Sequence, residues 1–455
     1  MKLFSRDKHF YKTFFSMTGA IALQNLITFA VNLADNIMIG GYSQAALSGV
    51  SMVNQIQFML QMLMLGTGSA IGVLGAQYWG KKELQPIRKA TSIGLLLGTA
   101  ISIVMMVLVY FFPAEALGLL TNEQAVIREG SKYLVIICFS YVLFAVSNNL
   151  LSALRSVETV KIGFVVNLLA LVVNIVLNYG LIYGRLGMPE MGVEGAAIAT
   201  LTARAVEFIV VVVYVLFIDK KMCWRLKNLL DIDKLMFADY IRVGMPLILA
   251  NGIWGVAMSV QTAILGRMGE DTIAANSIAT TLFQVISVVT YAASTTSGVV
   301  IGKTVGEGNI PKVKEYTKTM QILFIGIGIL TGLALFASRD FIIGMYDVTQ
   351  AAAELSRQFI LVLSFTVVGT SYQCACLTGI VTGGGDTRFV LINDLIHQWL
   401  IVIPSALLSA FVFHAPAWVT VLCLKSDQIL KCFVAVIKVN RYKWIHKLTR
   451  EEISE

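Results

Sequence analysis

Long apolar runs separated by short polar turns recur about a dozen times along the 455 residues. Each run is long enough to cross a hydrocarbon core of about 30 Å, which takes about 20 helical residues. The pattern therefore predicts an all-α membrane protein with twelve transmembrane helices. The predicted spans are 13–40, 52–78, 90–112, 132–154, 162–183, 193–218, 241–266, 278–302, 318–338, 355–381, 388–413 and 417–437.

The two halves of the chain resemble each other at a constant offset. The run from Ala20 to Gly41 has a fainter copy that begins at Pro246, and the alignment continues from there without a gap. The matched pairs are Asn25/Asn251, Gly40/Gly266, Ser51/Ser277, Gly72/Gly298 and Gly80/Gly306. Six spans per half is an even number, so both halves enter the membrane in the same orientation. We therefore predict two parallel six-helix repeats, an N-lobe and a C-lobe, around a central cleft.

The same pattern divides the chain into five segments. They are a cytoplasmic N-terminal segment 1–12, the N-lobe 13–218, a cytoplasmic linker 219–240, the C-lobe 241–437 and a cytoplasmic tail 438–455.

Lysine and arginine are distributed unevenly between alternate loops. The two termini and one set of loops hold 26 of the 35 basic residues, the other loops hold six, and three lie inside spans. This asymmetry follows the positive-inside rule and predicts a multi-pass protein of the plasma membrane with both termini cytoplasmic. The net charge of +8 is thus a topology signal, and no nucleic-acid binding is expected. A charged fraction of only 14% is far below that of soluble domains, about 25%.

Signatures of enzymes and of resident metals are absent from the sequence. It contains no nucleophile elbow, no phosphate loop and no HExxH motif, and its four histidines are scattered. The glycine-rich stretch Gly383–Asp386 lacks the Lys-Ser/Thr of a phosphate loop and is interpreted as a tight cytoplasmic turn. We expect neither catalytic residues nor a cofactor nor a structural metal site.

One carboxylate, Asp35, lies near the end of the first apolar run. A charge inside a membrane costs roughly 2.5–3.5 kcal/mol on insertion scales, so such a residue is expected to have a function. Asn174 and Asn178 share one face of the fifth span, and Asn148 lies in the fourth. An acid surrounded by amides suits H⁺ or Na⁺, because amide oxygens are hard ligands. Alternatively, the asparagines only join helices through hydrogen bonds.

Other charges inside the spans are weaker candidates. Arg204 and Glu207 are spaced to pair with each other on one helix, and Asp394 in the eleventh span is a second candidate for coupling. The twelfth span contains a polar cluster that is interpreted as mutually satisfied, consisting of Lys425, Asp427 and Lys431.

Several ordered motifs resemble the MATE (multidrug and toxin extrusion) family over essentially the whole chain. They are ALQNLITFAVNLADNIMIG, GAQYWGKKE, LRSVETVKIG, VNIVLNYGLIYG, GMPEMGVEGAAIATLTAR and TGGGDTR, with a C-terminal region similar to Firmicutes members. The resemblance implies twelve helices in two lobes and cation antiport driven by H⁺ or Na⁺. In its DinF-like branch, the first-helix acid that carries the proton or cation matches Asp35, and its amide partners match Asn148 and Asn174.

The sequence departs from the family pattern at two positions. A second N-lobe acid of some relatives is Asn178 here, and the first-helix proline is Ala20, which gives no support to a proline-assisted bend of that helix. The NorM-like branch also uses C-lobe acids, whereas this chain has Gln261 and Gln284 in its seventh and eighth spans. Coupling is therefore expected in the N-lobe.

The predicted function is export of amphipathic organic cations or drugs in exchange for H⁺ or Na⁺, by a protein that functions as a monomer in the bilayer. A lipid-linked precursor flippase of the same superfamily is the alternative. Such a flippase is expected to present several cationic groups in its cleft. A membrane-embedded enzyme is the least favoured interpretation.

Overall fold

A computed structural model describes residues 4–346 and 348–450, and every regular element in these ranges is helical. The first half contains α1 (Lys8–Tyr42), α2 (Gln44–Lys81), α3 (Leu84–Phe111), α4 (Pro113–Gly118), α5 (Gln124–Ile137), α6 (Ser140–Ser156), α7 (Lys161–Tyr183) and α8 (Gly192–Val213). The second half contains α9 (Lys234–Gly266), α10 (Glu270–Ile286), α11 (Val288–Gly306), α12 (Ile310–Ile343), α13 (Gln350–Cys374), α14 (Thr387–Leu395), α15 (Ile403–Leu407), α16 (Ala417–Leu424) and α17 (Ser426–Arg441). Residues 1–3 and 451–455 of the predicted terminal segments lie outside the described residues.

The prediction of an all-helical membrane protein is confirmed. Among the described residues, nine helices are long and apolar enough to cross a membrane, and two bent pairs bring the number to eleven. The pairs are α5–α6, bent by 54°, and α10–α11, bent by 46°. Short π-helical segments continue several helices, at Tyr214–Ile218, Ala375–Val381, Ile396–Val402 and Leu408–Val412.

The twelfth predicted span, 417–437, is helical but not continuous. The chain forms α16 and α17 instead, with a break at Lys425, whose φ of −107° and ψ of 8° are not helical. Three ionisable residues within seven positions make this stretch too polar to qualify as an apolar span. The structure therefore has a broken element where the pattern predicted a continuous one.

The chain divides into two compact units. The first-half unit comprises Leu23–Gly75 and Leu84–Ile248, and the second-half unit comprises the described residues up to Ala22, Ala76–Glu83 and those from Leu249 onward. Each has its own apolar core. The predicted boundaries of the N-lobe and C-lobe stay a prediction.

In the first-half unit, the predicted linker is held against α3. The Trp224 indole donates to Ser92 Oγ at 3.0 Å, and Ser92 donates to the Asn228 carbonyl at 2.8 Å. Lys89 pairs with Asp233 at 2.7 Å. Because these contacts satisfy backbone groups as well as charges, this part of the linker is ordered structure.

In the second-half unit, the start of the chain packs on α12. The Ser5 amide donates to Thr319 at 2.9 Å, and the Phe10 ring stacks on Tyr316 with centroids 4.4 Å apart. Tyr316 also donates to Asp7 at 2.6 Å, and this hydrogen bond holds the pKa of the Asp7 carboxyl below its usual range. Ser5 and Asp7, which precede α1, are thus fixed to this unit.

The ends of α2 and α11 meet through a reciprocal contact within the second-half unit. A Cβ atom added at Gly80 would collide with the Lys303 carbonyl, and one added at Gly306 would collide with the Gln77 carbonyl. In the repeat, Lys303 is equivalent to Gln77 and Gly306 is equivalent to Gly80. The contact between Gly80 and Lys303 is therefore the repeat counterpart of the contact between Gly306 and Gln77.

The sequence predicted a turn at Gly383–Asp386. The last described residues of the chain pack against this turn. Gly385 has a φ of +99°, a conformation that favours glycine. A Cβ at Gly384 would collide with the Trp444 ring, which is fully buried. Asp386 pairs with Lys438 at 2.6 Å. The glycines therefore allow a close approach that no larger residue would permit.

Gln77 connects this turn to the end of α2. Its amide donates to the carbonyls of Gly383 and His446, both at 3.2 Å, and accepts from the Leu448 amide at 2.8 Å. One buried side chain thus satisfies three backbone groups from two other segments of the second-half unit.

Replacing Gln77 is expected to destabilise the protein. Gln77→Leu keeps the side-chain volume but leaves three backbone groups unpaired, at a cost of about 1–3 kcal/mol for each group that stays buried. The measurement is the apparent melting temperature of the purified protein in detergent, which should fall by a few degrees. The control is Gln284→Leu, since Gln284 is exposed on α10. Equal melting temperatures for the two variants would contradict a structural role for Gln77.

Candidate cation site

Asp35 is buried near the C-terminal end of α1, with 8% of its surface exposed. An isolated carboxylate in such a setting is costly unless hydrogen bonds compensate it. The surroundings of its two oxygens therefore determine what this residue does.

Four polar side chains form a closed ring of hydrogen bonds. Asn178 Nδ2 donates to Asp35 Oδ1 and also to Asn174 Oδ1, the latter at 3.2 Å. Asn174 Nδ2 donates to Thr200 Oγ1 at 3.2 Å, and Thr200 Oγ1 donates to Asp35 Oδ2 at 3.3 Å. Both asparagines are fully buried. Each oxygen of the carboxylate thus has one donor.

One oxygen acceptor of the ring, Asn178 Oδ1, has no hydrogen-bond donor among the described residues. Both N–H groups of Asn178 are used, while its Oδ1 is buried and has no hydrogen-bond partner among the described residues. Together with Asp35 and Thr200 it supplies the hard oxygen atoms that Na⁺ prefers, and an acidic oxygen that can take a proton. The arrangement is suited to a small cation.

Helix periodicity explains why these residues converge. Asn174 and Asn178 are four residues apart on α7, and Asn167 lies seven before Asn174, so all three follow one stripe of the helix. The stripe faces α1, because Asn167 donates to Thr28 at 2.8 Å as Asn178 donates to Asp35.

A narrow cleft that is partly open to its surroundings adjoins the ring. Asn174 and Thr200 line it, together with Arg204 and Glu207 from the next turns of α8. Arg204 pairs with Glu207 at 2.7 Å, as their spacing predicted, and lies close enough to Asp35 to interact electrostatically. The cleft is thus bordered by the ring that holds Asp35 and by the ion pair between Arg204 and Glu207.

Asn148 has a different contact. Its Nδ2 donates to the Met64 carbonyl at 2.9 Å, which joins α6 to α2. The structure therefore brings Asp35, Asn174 and Asn178 together, and records no contact of Asn148 with this ring. The participation of Asn148 in cation coupling stays a prediction.

The second candidate, Asp394, belongs to an ion cluster in the second-half unit. Lys431 Nζ lies 2.7 Å from Asp394 and 3.4 Å from Asp427, and the Gln428 amide donates to both oxygens of Asp427 at 2.9 Å. Asp427 and Lys431 of the predicted polar cluster therefore pair with each other, and Asp394 is an additional member. The inclusion of Lys425 in this cluster stays a prediction.

Two residues of the site were missed in the sequence. Thr200 lies four residues before Arg204 and seven before Glu207, so the common face of α8 was a signal that could have found it. Tyr133 on α5 is buried beside Thr200 and Asp35. No spacing links α5 to α1, and only the packing of the helices places Tyr133 here.

Fold and site together define a helical membrane protein with a buried carboxylate held by amides and a hydroxyl. The family model MatE matches residues 20–180 and 246–408, more than half of the chain. The chain therefore belongs to this family, the MATE family, which confirms the sequence-based prediction. The two matched segments begin at residues 20 and 246, which are equivalent positions of the internal repeat.

Known relatives and solved structures agree with this assignment. "Probable multidrug resistance protein NorM" of Listeria innocua is 25% identical over 442 residues, covering 95% of this chain and 94% of the relative. The crystal structure of a mutant of the Vibrio cholerae MATE transporter VcmN has a TM-score of 0.86 at 15% identity, covering 96% and 98%. An outward-facing multidrug resistance MATE transporter has a TM-score of 0.80 at 17% identity, covering 94% and 96%. At these identities the structures show that the fold is shared.

Proposed function

We propose that this MATE-family transporter exports amphipathic organic cations in exchange for H⁺ or Na⁺, and that Asp35 is the coupling residue. The observation that carries the proposal is the hydrogen-bonded ring around the buried carboxylate, with the unpaired Oδ1 of Asn178 beside it. Relatives across nearly the whole chain are named multidrug resistance proteins, which supports export of drug-like molecules.

The ring provides a physical basis for exchange. An ionised Asp35 favours a cation, whether this is the coupling ion or the positive end of a substrate in the adjoining cleft. Protonation, or binding of Na⁺, neutralises the carboxylate and weakens its attraction for the substrate, which is then released. The driving force is sufficient, because one elementary charge crossing 100 mV is worth about 2.3 kcal/mol.

The transporter is proposed to function as a monomer in the plasma membrane, with both termini in the cytoplasm. The excess of basic residues in the termini and alternate loops supports this orientation. A flippase for lipid-linked precursors is not favoured. The cleft beside Asp35 is lined by a single basic residue, Arg204, and that residue is paired with Glu207.

Efflux from proteoliposomes tests the proposal. A fluorescent organic cation should leave vesicles that contain the protein when a pH or Na⁺ gradient is imposed separately, and it should be recovered unmodified. The gradient that drives efflux identifies the coupling ion. Empty vesicles and vesicles without a gradient are the controls. Efflux at the same rate with and without both gradients would contradict antiport, and recovery of a modified molecule would indicate an enzyme.

A further inference from the structure

The ion pair between Asp394 and Lys431 lies beside a small cleft in the second-half unit. Asp394, Trp254 and Gln398 line this cleft, which has about 210 Å³ of empty space. The side chain of Asp394 remains 29% exposed even though it is paired. A carboxylate that stays partly exposed while it holds a lysine can be reached by a second cation from the open side of the cleft.

An unpartnered amide supplies an independent observation at the same cleft. Gln398 is 4% exposed, and its Nε2 is buried without a hydrogen-bond partner among the described residues. A buried donor without a partner is energetically costly, so a ligand oxygen that accepts from Gln398 would be stabilised. Gln398 belongs to the π-helical segment Ile396–Val402, and π-helical turns are frequent at functional sites.

Lys431 has a second carboxylate partner, so it can release Asp394 and remain paired. Its ammonium is shared with Asp427 at 3.4 Å, so it keeps a counter-ion when Asp394 takes another partner. Asp427 is in turn fixed by two hydrogen bonds from Gln428. The exchange therefore leaves no buried charge unpaired, which is the costly outcome in such clusters.

We propose that Asp394, Trp254 and Gln398 form a substrate subsite for an organic cation that carries an oxygen acceptor near its charged nitrogen. The nitrogen binds to Asp394 and to the face of the Trp254 ring, and the oxygen accepts from Gln398. Lys431 occupies Asp394 in the absence of substrate and moves toward Asp427 when substrate binds. This inference rests on the proposed export of organic cations, but it concerns a site other than Asp35.

Two matched probes test the subsite on the full-length protein in detergent. Benzoylcholine and (4-phenylbutyl)trimethylammonium share a phenyl ring and a trimethylammonium group, and only benzoylcholine carries an ester. Asp394→Asn should weaken binding of both probes about tenfold. Lys431→Met should strengthen binding of both several-fold, because the competing ammonium is gone. Gln398→Leu should weaken benzoylcholine alone, by about fivefold.

The matched control is Lys438→Met, which removes a lysine–aspartate pair further along the same helix, outside the cleft. It should leave both affinities unchanged. Asp394→Asn is expected to fold, since Lys431 retains Asp427. Wild-type affinities in the Asp394→Asn and Lys431→Met variants would overturn the subsite alone. A wild-type protein that binds neither probe would contradict the proposed substrate class and the subsite with it. Wild-type binding that weakens in Asp394→Asn and strengthens in Lys431→Met supports both.

Discussion

Asp35→Asn is expected to abolish gradient-driven efflux while the protein still folds and reaches the membrane. The variant keeps the shape of the side chain, and its amide oxygen can still accept from Asn178, so the ring around it can persist. What it loses is the charge that attracts a proton or Na⁺. The measurement is substrate efflux from proteoliposomes under the gradient that drives the wild-type protein.

The control for this experiment is Asp340→Asn, which neutralises a more exposed aspartate at the end of α12 that pairs with Arg357 at 3.0 Å. It should transport at the wild-type rate. Melting temperatures of both variants separate lost coupling from lost structure. Wild-type efflux in Asp35→Asn would place the coupling site elsewhere, and Asp394 is then the next candidate.

Asn178→Ala is expected to raise the ion concentration that gives half-maximal transport more than any other amide variant. Asn178 donates directly to Asp35 and holds the unpaired Oδ1 beside it, whereas Asn174 acts through its neighbours in the ring. One lost hydrogen bond or ligand in a membrane protein costs about 0.5–2 kcal/mol, so the shift should be at most roughly thirtyfold. Asn174→Ala should give a smaller shift in the same direction.

Two control variants separate coupling from helix packing. Asn149 is a buried amide that accepts from Thr67 and donates to the Gly94 carbonyl, remote in sequence from the ring, so Asn149→Ala should lower thermal stability without shifting the ion concentration. Gln261 is the repeat equivalent of Asp35, and Gln261→Ala should leave transport largely intact. A large shift for Gln261 and none for Asn178 would mean that coupling was assigned to the wrong half.

Much of the architecture could be predicted because a membrane helix is recognisable from the hydrophobicity of its own segment. Every predicted span falls on a helix or a helix pair. The constant offset of the repeat is also visible in the structure, because Gly80 contacts Lys303 as Gly306 contacts Gln77. The stretch 417–437 is one such helix pair, although the sequence predicted a continuous helix there. The stretch is hydrophobic on average, and average hydrophobicity does not reveal the break at Lys425.

The candidate site was predictable only where it follows helix periodicity. The four-residue spacing of Asn174 and Asn178 placed both on one face of α7, and a single acid in an apolar run marked Asp35, because burying a charge without a purpose is costly. Asn148 shows the limit of this reasoning. Its polarity suggested the same site, yet its recorded partner is the Met64 carbonyl.

By itself, the sequence determined the helical membrane class, the internal repeat, the family and the acid around which the first-half site forms. These features depend on composition and on spacing within one segment, which need no knowledge of neighbouring helices. The tertiary structure decided which side chains meet across helices. It closed the ring through Thr200, brought Tyr133 beside it, and joined Asp394 to Lys431. Such contacts depend on the rotation and depth of packed helices, and no periodicity along a single helix encodes them.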